Sequence, residues 1–288
     1  MKIGMVGLGR MGGNMATRLR NAGHEVIGYA RSSASEVNSL EELVAALGPP
    51  RTVWIMIPAG DPTEQTIARL GELLDAGDLV VDGGNSNFRD SIRRGRSVSE
   101  RGIGFIDAGV SGGIWGLDNG YCLMVGGSSD DVGRVRPIFE ALAPPDGFAH
   151  VGPLGAGHFT KMVHNGIEYG LMEAYAEGYE LLRTSELGID VPAAVAAWRY
   201  GSVVRSWLLE LLVGALQEDP GLAHIRGYAD DSGEGRWTVD EAVRLGVPAP
   251  VITAALYARF ASRQTDSDRM KVIAALRKAF GGHPIKTE

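Results

Sequence analysis

Short apolar runs alternate with amphipathic stretches over the first half of the chain, and this alternation restricts the possible folds more than any other feature. Six runs are predicted as strands, at residues 3–6, 25–29, 53–57, 79–81, 104–106 and 123–125. Helical patterns lie between most of them, at residues 14–21, 39–47, 63–74 and 90–101. Strands that alternate with helices are typical of parallel βαβ units. We therefore expect residues 1–152 to form an α/β domain with a mainly parallel sheet.

The pattern changes after residue 152, where long helical stretches replace the alternation. These are predicted at residues 157–182, 192–216, 239–245, 250–264 and 266–280, with a polar, glycine-rich segment at 230–236. We expect residues 153–288 to form an all-α domain. One crossover in the first domain is short, because mostly small or polar residues join Tyr29 to the helix near Ser39. We expect one usual element to be missing there.

The bulk composition excludes several classes of function. The formal charge of −7 argues against a nucleic-acid surface, where a basic face is expected. No apolar run approaches the ~20 residues that span a membrane, and no signal peptide is recognisable before the first strand. The single cysteine, Cys122, excludes an intramolecular disulfide and suits a reducing compartment, so we expect a cytoplasmic protein. No HExxH string or cysteine cluster predicts a metal site.

A glycine-rich string follows the first predicted strand and opens the first helix. It consists of Gly7, Leu8, Gly9, Arg10, Met11 and Gly12. Such strings also occur in ordinary βα turns, but a second strand that ends roughly 20 residues later is typical of a dinucleotide site. The glycines allow a tight turn and let backbone N–H groups approach a pyrophosphate at the helix N-terminus. We therefore predict a Rossmann-type cofactor domain.

The end of the second predicted strand bears on the choice of cofactor. An NAD site usually places Asp or Glu there, to bond the ribose 2′-OH. Here the position is Ala30, followed by Arg31, Ser32 and Ser33. The absence of a carboxylate removes repulsion of a 2′-phosphate, and Arg31 with the two hydroxyls can bind one. The alternative is a loop arginine that faces solvent. These residues favour NADP, with NAD possible.

Two further segments follow predicted strands, where ligands bind in open α/β sheets. The string DGGNS at 82–86 includes Asn85, which can contact the nicotinamide or a substrate hydroxyl; otherwise it is a turn built from Gly and Asn. Ser111, Gly112 and Gly113 offer a hydroxyl and unobstructed N–H groups that can hold a carboxylate. Either segment alone is ambiguous.

One predicted helix carries the most informative residues. Lys161, His164, Asn165 and Glu168 follow i, i+3, i+4, i+7 spacing and so share one face. Lys161 and Glu168 lie roughly 10 Å apart along the axis at ~1.5 Å per residue, which suits a six-carbon sugar acid. The alternative is a solvated polar face. Two glycines in this helix, at 166 and 170, each cost ~1 kcal/mol relative to Ala, so a close approach is expected to offset them.

These residues resemble the 6-phosphogluconate dehydrogenases, and the similarity runs almost end to end. The matching strings are DGGNS at 82–86, VSGG at 110–113, KMVHNGIEY at 161–169, GEGRWT at 233–238, GVP at 246–248 and RKAFGGH at 277–283. The string at 161–169 is the most specific of them. The length is similar to the family's short form, which lacks the duplicated helical half of the long form.

The resemblance implies oxidation of 6-phosphogluconate at C3, loss of CO2 and protonation of an enediol at C1, giving ribulose 5-phosphate. This places the chain in gluconate utilization and the pentose phosphate pathway. By position, the resemblance implies that Lys161 is the base and then the acid and that Glu168 donates the proton to C1 of the product. It also implies that Asn85 and His164 align the substrate and the nicotinamide, and that Asn165 contacts the hydroxyls. The implied substrate-binding residues are Asn85, Ser111, Gly112, Gly113, Tyr169, Arg259, Arg277 and His283. Arg277 and His283 are implied to come from a partner, in a homodimer or homotetramer whose C-terminal tail enters the neighbouring site.

Three departures from the family pattern affect these expectations. Ser232 stands where the long form has a phosphate-binding lysine, so one cation is missing. The crossover after Tyr29 is about a helix shorter than usual, which leaves the adenine end more open. Short forms commonly carry Asp at the end of the second strand and use NAD, but this chain has Ala30.

Two other functions compete with this interpretation. A β-hydroxyacid dehydrogenase of the 3-hydroxyisobutyrate type shares the glycine loop, the Ser-Gly-Gly string and the helix lysine, but it does not need His164 with Glu168. A non-catalytic dinucleotide sensor would keep the cofactor half without an intact set from Lys161 to Glu168. Fold alone does not separate these functions.

Overall fold

The computed structural model describes residues 1–32, 34–281 and 284–286, except for the side chain of residue 280. The chain divides into two compact units, Met1–Asn165 and Gly166–Glu288. The first unit contains the sheet, and the second is helical in its described part. Both parts of the predicted fold class are confirmed.

The sheet of the first unit has seven strands among the described residues. These are β1 (Lys2–Val6), β2 (Glu25–Tyr29), β3 (Thr52–Ile55), β4 (Leu79–Asp82), β5 (Gly104–Ser111), β6 (Cys122–Gly126) and β7 (Phe148–Gly152). Their order is β2-β1-β3-β4-β5-β6-β7, and every neighbouring pair is parallel except β5 and β6. The carboxyl ends of β1, β4 and β5 therefore lie along one edge of the sheet.

Six helices alternate with the strands in the described residues, and six more lie between Ala156 and Gly281. The first group is α1 (Arg10–Asn21), α2 (Leu40–Ala46), α3 (Asp61–Leu73), α4 (Phe88–Ser99), α5 (Gly116–Asn119) and α6 (Ser129–Leu142), with a 3-10 turn at Gly113–Trp115. The second group is α7 (Ala156–Thr184), α8 (Val191–Ala197), α9 (Trp207–Glu218), α10 (Glu234–Leu245), α11 (Pro250–Ser262) and α12 (Asp268–Gly281). Helix α7 starts in the first unit and ends in the second.

Strands β3 and β4 are buried on both faces, which explains why they read as continuous apolar runs. Trp54 of β3 enters one apolar cluster together with residues of α1 and α6. Its neighbours Val53 and Ile55 enter a second cluster together with residues of α2 and α3. Because successive side chains of a strand point to opposite faces, one strand contributes to both clusters. The sheet is thereby a rigid platform for the loops at its edge.

Several predicted elements differ from the observed ones. Strand β7 and helix α6 were not predicted, and β5 continues to Ser111, five residues beyond the predicted end at Ile106. The stretch at 192–216 forms two helices instead of one, because Gly201 adopts φ +70 and the Ser206 hydroxyl caps α9 by accepting from the Leu209 N–H at 3.1 Å. Between Tyr29 and Leu40 the described residues form no helix, in agreement with the predicted short crossover.

Candidate functional site

The glycine string forms the turn between β1 and α1. Gly7 has φ +97, and a Cβ there would lie 2.3 Å from the Met56 carbonyl oxygen. A Cβ at Gly12 would lie 2.0 Å from the Gly7 carbonyl oxygen, so this glycine lets the helix pack closely on the strand. A Cβ at Gly9 would have nothing within 4 Å, which leaves open space in front of the first turn of α1. The three glycines thus have the distinct roles that a dinucleotide turn requires.

A cavity of about 610 Å³ lies beside this turn. Gly7 and Gly9 line one part of it, and Ala30, Arg31 and Ser32 line another. This grouping brings together the two segments that the sequence assigned to one cofactor. Leu8 also lines the cavity, whereas Arg10 and Met11 stand in the first turn of α1. Ser33 lies outside the described residues.

The segment after β2 folds back onto that strand. The Ala30 N–H donates to the Ser35 hydroxyl at 2.9 Å, and the Glu36 carboxylate accepts from the Gly28 N–H at 2.9 Å. The other oxygen of the Glu36 carboxylate is paired with Arg20 at 2.5 Å. Consequently the Glu36 carboxylate is bound to β2 and Arg20, while Arg31 lines the cavity.

The loop after β4 is fixed from both sides. Asp82 is fully buried and accepts from the Gly84 N–H at 3.0 Å and from the Ser86 hydroxyl at 2.8 Å. Asn85 has φ +52, and its amide makes two hydrogen bonds with the backbone of Val110, at 2.9 and 3.1 Å. Asn85 therefore connects its own loop to the end of β5, next to Ser111–Gly113. The structure brings these two predicted segments together.

The end of β5 provides the Ser-Gly-Gly segment. Gly112 has φ +135 and Gly113 has φ +55, backbone conformations that side chains with a Cβ rarely adopt. A Cβ at Gly113 would have nothing within 4 Å, so its backbone is open to a ligand. Ser111 is half-buried at the last position of the strand. This geometry agrees with a segment that binds a small anion.

Helix α7 carries Lys161, which is only 5% exposed. Its ammonium group donates to the Asn165 side-chain oxygen at 2.7 Å and lies 3.5 Å from His164 Nδ1. His164 Nδ1 is also 3.0 Å from the same Asn165 oxygen. A Cβ on Gly109 of β5 would lie 2.5 Å from the Lys161 Cβ, so the strand and the helix touch at this point. Three of the four predicted acid–base residues thus form one hydrogen-bonded group, in which Lys161 is buried and His164 and Asn165 are half-buried.

The predicted close approaches at the helix glycines are present in the second unit. A Cβ at Gly166 would lie 2.7 Å from Thr238 of α10, and a Cβ at Gly170 would lie 3.1 Å from Val251 of α11. Glu168 is half-buried between these two positions of α7. The glycines therefore allow α10 and α11 to pack against the helix that carries Glu168.

Tyr169 is the centre of a second polar group. Its ring lies under the Arg259 guanidinium, 3.5 Å from ring centroid to Cζ, and its hydroxyl accepts from the Ser232 N–H at 2.9 Å. The Ser232 hydroxyl is 3.2 Å from the same phenol oxygen. Arg259 itself donates to the Asp230 carbonyl oxygen at 3.1 Å. Within the described part of the chain no carboxylate lies within 4.0 Å of Arg259, so its charge is not neutralised by an ion pair.

Sequence reasoning missed a buried carboxylate beside this group. Asp231 pairs with Arg236 at 2.6 Å and with Arg263 at 3.0 Å, and these two arginines lower the pKa of Asp231 to about 2. In the sequence, the signal for this carboxylate is the pair of adjacent aspartates, Asp230 and Asp231, followed by Arg236. Arg236 and Arg263 are therefore partly neutralised, unlike Arg259.

The remaining predicted residues fall at the C-terminal end. Arg277 is exposed on α12, and His283 lies outside the described residues. No group of three or more His, Cys, Asp or Glu side chains suited to a metal occurs in the described ranges. No helix there is both long and apolar enough to cross a membrane.

Comparison with protein-family models gives two matches. Residues 2–152 match the NAD binding domain of 6-phosphogluconate dehydrogenase, and residues 157–286 match the C-terminal domain of 6-phosphogluconate dehydrogenase. The two matches together cover nearly the whole chain.

Comparison with individual proteins gives similar results. A putative 6-phosphogluconate dehydrogenase of Bacillus subtilis, YqeC, is 41% identical over 98% of this chain and 98% of its own length. A Haloferax volcanii protein named 6-phosphogluconate dehydrogenase, NAD(+)-dependent, decarboxylating, is 40% identical over 99% of this chain and 98% of its own. Among solved structures, Plasmodium falciparum 6-phosphogluconate dehydrogenase superposes with a TM-score of 0.84 at 28% identity, covering 100% of this chain and 66% of that one.

Proposed function

The chain belongs to the 6-phosphogluconate dehydrogenase family, and from this we propose that it converts 6-phosphogluconate into ribulose 5-phosphate and CO2 while reducing NADP or NAD. The observation that carries the proposal is the buried Lys161 ammonium, held by Asn165 and His164 beside the strand that ends in Ser111. A base and a carboxylate-binding segment in the same place suit oxidation of a hydroxy acid.

Lys161 is proposed to act first as a base. A lysine can take the proton of the C3 hydroxyl when its amine is neutral. The cofactor, when bound, accepts the hydride from C3. Lys161 then carries a proton and can donate it to the C3 carbonyl, which assists loss of the C1 carboxylate without a metal.

Glu168 is proposed to finish the reaction. Loss of CO2 from C1 of the substrate leaves an enediol, and a carboxylic acid can protonate its terminal carbon, which was C2 of the substrate and becomes C1 of ribulose 5-phosphate. Glu168 stands seven residues beyond Lys161 on the continuous helix α7, so the two groups share a helix face. One group for the C3 hydroxyl of the substrate and another for C1 of the product agree with a reaction in which one proton is taken and another is given.

The substrate's two anionic ends are proposed to bind different segments. Ser111, Gly112 and Gly113 hold the carboxylate, and Asn85 contacts the hydroxyls and the nicotinamide. Arg259 and Tyr169 hold the phosphate, because a guanidinium without a carboxylate partner is suited to bidentate phosphate binding. Ser232 bonds to Tyr169 instead of supplying a cation, so Arg259 carries more of this role.

NADP is proposed as the preferred cofactor, with NAD possible. Arg31 and Ser32 line the cavity beside the glycine turn, and the Glu36 carboxylate is engaged elsewhere. Arg31→Ala should lower kcat/KM for NADP about 10-fold, since a hydrogen bond to a charged group contributes about 1.5–3 kcal/mol. The value for NAD should stay unchanged and serves as the internal control. An unchanged NADP value would remove the argument for this preference.

A homodimer or homotetramer is proposed on the exposure of α12. Every side chain of this helix that the structure describes is exposed, including Met270, Val272, Ile273 and Leu276. An isolated helix of this length is marginal in water, so its apolar side chains require another surface. A second copy of the chain can supply that surface and receive Arg277 and the tail.

Deletion of residues 277–288 should raise KM for 6-phosphogluconate at least about 10-fold, because a charged phosphate contact is lost. Arg277→Ala should reproduce most of this effect, whereas Lys278→Ala on the same helix should not. Light scattering of the full chain should give the mass of a dimer or tetramer. A monomeric full chain with normal kinetics, or unchanged kinetics after deletion, would contradict the proposal.

The domain boundary is proposed to lie at residue 152, with a dinucleotide-binding domain at 1–152 and a helical substrate-binding and dimerisation domain at 153–288; Asn85 and Ser111–Gly113 of the first domain also contact the substrate. The two family models meet at this place. A cytoplasmic location and a role in gluconate utilization and the pentose phosphate pathway complete the proposal.

The 3-hydroxyisobutyrate alternative is tested by comparing the two substrates. Purified enzyme should show a kcat/KM for 6-phosphogluconate at least about 100-fold above that for 3-hydroxyisobutyrate, since the latter lacks the phosphate that Arg259 would bind. Higher activity with 3-hydroxyisobutyrate would support the alternative, and no activity with either acid would support a non-catalytic sensor.

A further inference from the structure

A fully buried carboxylate stands in the middle of β5. Asp107 is 0% exposed and shares one face of the strand with Gly109 and Ser111, because alternate residues of a strand point the same way. Gly109 is the residue that touches Lys161, and Ser111 belongs to the proposed carboxylate-binding segment. Asp107 also pairs in register with Asp82 of β4, which fixes the Asn85 loop. The proposed mechanism assigns no role to this carboxylate, although it lies beside the residues that the mechanism uses.

Asp107 binds the first turn of helix α7. One carboxylate oxygen accepts from the Gly155 N–H at 2.6 Å, and the other accepts from the His158 N–H at 2.7 Å. The N–H groups at a helix N-terminus have no partner within the helix, and a carboxylate there is also stabilised by the helix dipole. Asp107 thus caps α7 from strand β5, whereas a capping residue usually lies directly before its own helix.

The same helical turn is held by a second contact. His158 Nδ1 is 2.7 Å from the Ser91 hydroxyl of α4, and both side chains are buried. Ser91 also donates to the carbonyl oxygen of Asn87, the residue that caps α4 and follows the Asn85 loop. The first turn of α7 is therefore connected both to β5 and to the segment that carries Asn85.

The first turn of α7 packs closely against the backbone of the sheet. A Cβ at Gly157 would lie 2.3 Å from the Asp107 carbonyl oxygen and 2.6 Å from the Met124 carbonyl oxygen. A Cβ at Gly126 of β6 would lie 2.7 Å from the Gly157 nitrogen. The helix therefore rests directly on the backbone of two strands, and Lys161 follows one turn later.

A buried carboxylate is an expensive way to cap a helix. Burial raises the pKa of the Asp107 carboxyl above its usual range, although His158 and the two N–H donors oppose that shift. Helices α2, α6 and α9 are capped instead by local hydroxyls, those of Ser39, Ser128 and Ser206. Burying a charge costs free energy unless it is well paired, and here the two backbone N–H groups at the start of α7 provide that pairing.

We propose that Asp107 is a positioning residue for the reaction. It fixes the first turn of α7 to β5 and thereby sets the place of the Lys161 ammonium relative to Ser111, while His158 and Ser91 tie that turn to the Asn85 loop. The inference rests on the proposed function, in which Lys161 is the base. A displacement of about 1 Å of a reacting group can lower a rate about 100-fold.

Asp107→Asn tests this role with little change of shape. The amide has a single acceptor oxygen, so one of the two backbone N–H groups at the start of α7 loses its partner. We expect kcat for 6-phosphogluconate to fall about 10- to 100-fold. The Kd for NADP, measured by fluorescence titration, should change less than about 2-fold, because the glycine turn is untouched. The deuterium isotope effect with substrate labelled at C3 should rise as hydride transfer becomes limiting.

Ser128→Ala is the matched control, because it removes a helix cap in the same unit, where the Ser128 hydroxyl accepts from the Asp131 N–H. It should lower Tm and leave kcat and the isotope effect unchanged. If Asp107→Asn does not fold, Ser91→Ala decides, with an expected loss of about 3- to 10-fold in kcat at unchanged NADP affinity.

The inference would be overturned if the Asp107→Asn enzyme had the kcat and isotope effect of the wild type. It would also be overturned if Asp107→Asn and Ser128→Ala lowered kcat by the same factor. Where Ser91→Ala has to decide, unchanged kcat overturns it. These outcomes are distinct from failure of the proposed function, in which the wild-type enzyme itself releases no CO2 from 6-phosphogluconate.

Discussion

Replacing Lys161 with methionine should lower kcat for 6-phosphogluconate about 1,000-fold or more, since general acid–base catalysis contributes about 100- to 10,000-fold and Lys161 acts in two steps. Methionine fills a similar volume, and the position is only 5% exposed, so the fold should be kept. The Kd for NADP should stay close to that of the wild type, because the glycine turn of the first unit is unchanged. Steady-state assays with a parallel NADP titration measure both quantities.

Lys161→Arg is the informative control for the role as a base. Arginine keeps the positive charge but does not lose its proton in proteins. It can therefore not accept the C3 proton, and we expect it to be nearly as inactive as the methionine variant. If either variant keeps more than about a tenth of the activity, Lys161 is not the base of the reaction.

Glu168→Gln should produce the second-largest effect, a loss of about 100-fold or more in steady-state kcat. The amide cannot donate a proton to the enediol carbon that becomes C1 of ribulose 5-phosphate, but it leaves Lys161 and its partners intact. NADPH should therefore still form in a rapid burst of about one equivalent per active site, followed by slow turnover. Rapid-mixing absorbance at the NADPH band measures the burst and the slow phase together.

Glu177→Gln is the matched control, because Glu177 is an exposed carboxylate further along the same helix. It should behave as the wild type. A Glu168→Gln enzyme without a burst would place the lost step before hydride transfer, and one with normal turnover would show that another group protonates C1. Either result would contradict the proposed role of Glu168.

Features that depend on neighbours in sequence were predictable. The strand-turn-helix context of Gly7, Gly9 and Gly12 fixes their roles within a few residues, and the structure agrees with it. The shared face of Lys161, His164 and Asn165 follows from helical periodicity, and their side chains do meet. In these cases the determining contacts lie within one or two turns of the chain.

Features that depend on distant partners were not predictable from one sequence. Asn85 bonds to Val110, Asp107 bonds to the N–H groups of Gly155 and His158, and Asp231 pairs with Arg263. No local pattern announces such pairs, although a carboxylate within an apolar strand is a usable signal for a residue such as Asp107. Strand β7 was missed because its side chains are exposed or half-buried, so that its sequence shows no apolar run.

The proposed phosphate end of the site differs most from the family pattern. Ser232 supplies a hydrogen bond to Tyr169 where the long form has a lysine, and Arg236 and Arg263 are paired with Asp231. Of the three arginines around Tyr169 and Asp231, Arg259 is the one with no carboxylate partner among the described residues. This arrangement explains why a partner's Arg277 is an important part of the proposal.

The central claim is tested most directly by following the C1 carbon of the substrate. Wild-type enzyme supplied with 6-phosphogluconate labelled at C1 with carbon-13, and with NADP, should release the label as CO2 in equal amount to NADPH and ribulose 5-phosphate. Formation of NADPH with the label retained in a keto acid would show a dehydrogenase that does not decarboxylate, and would contradict the account.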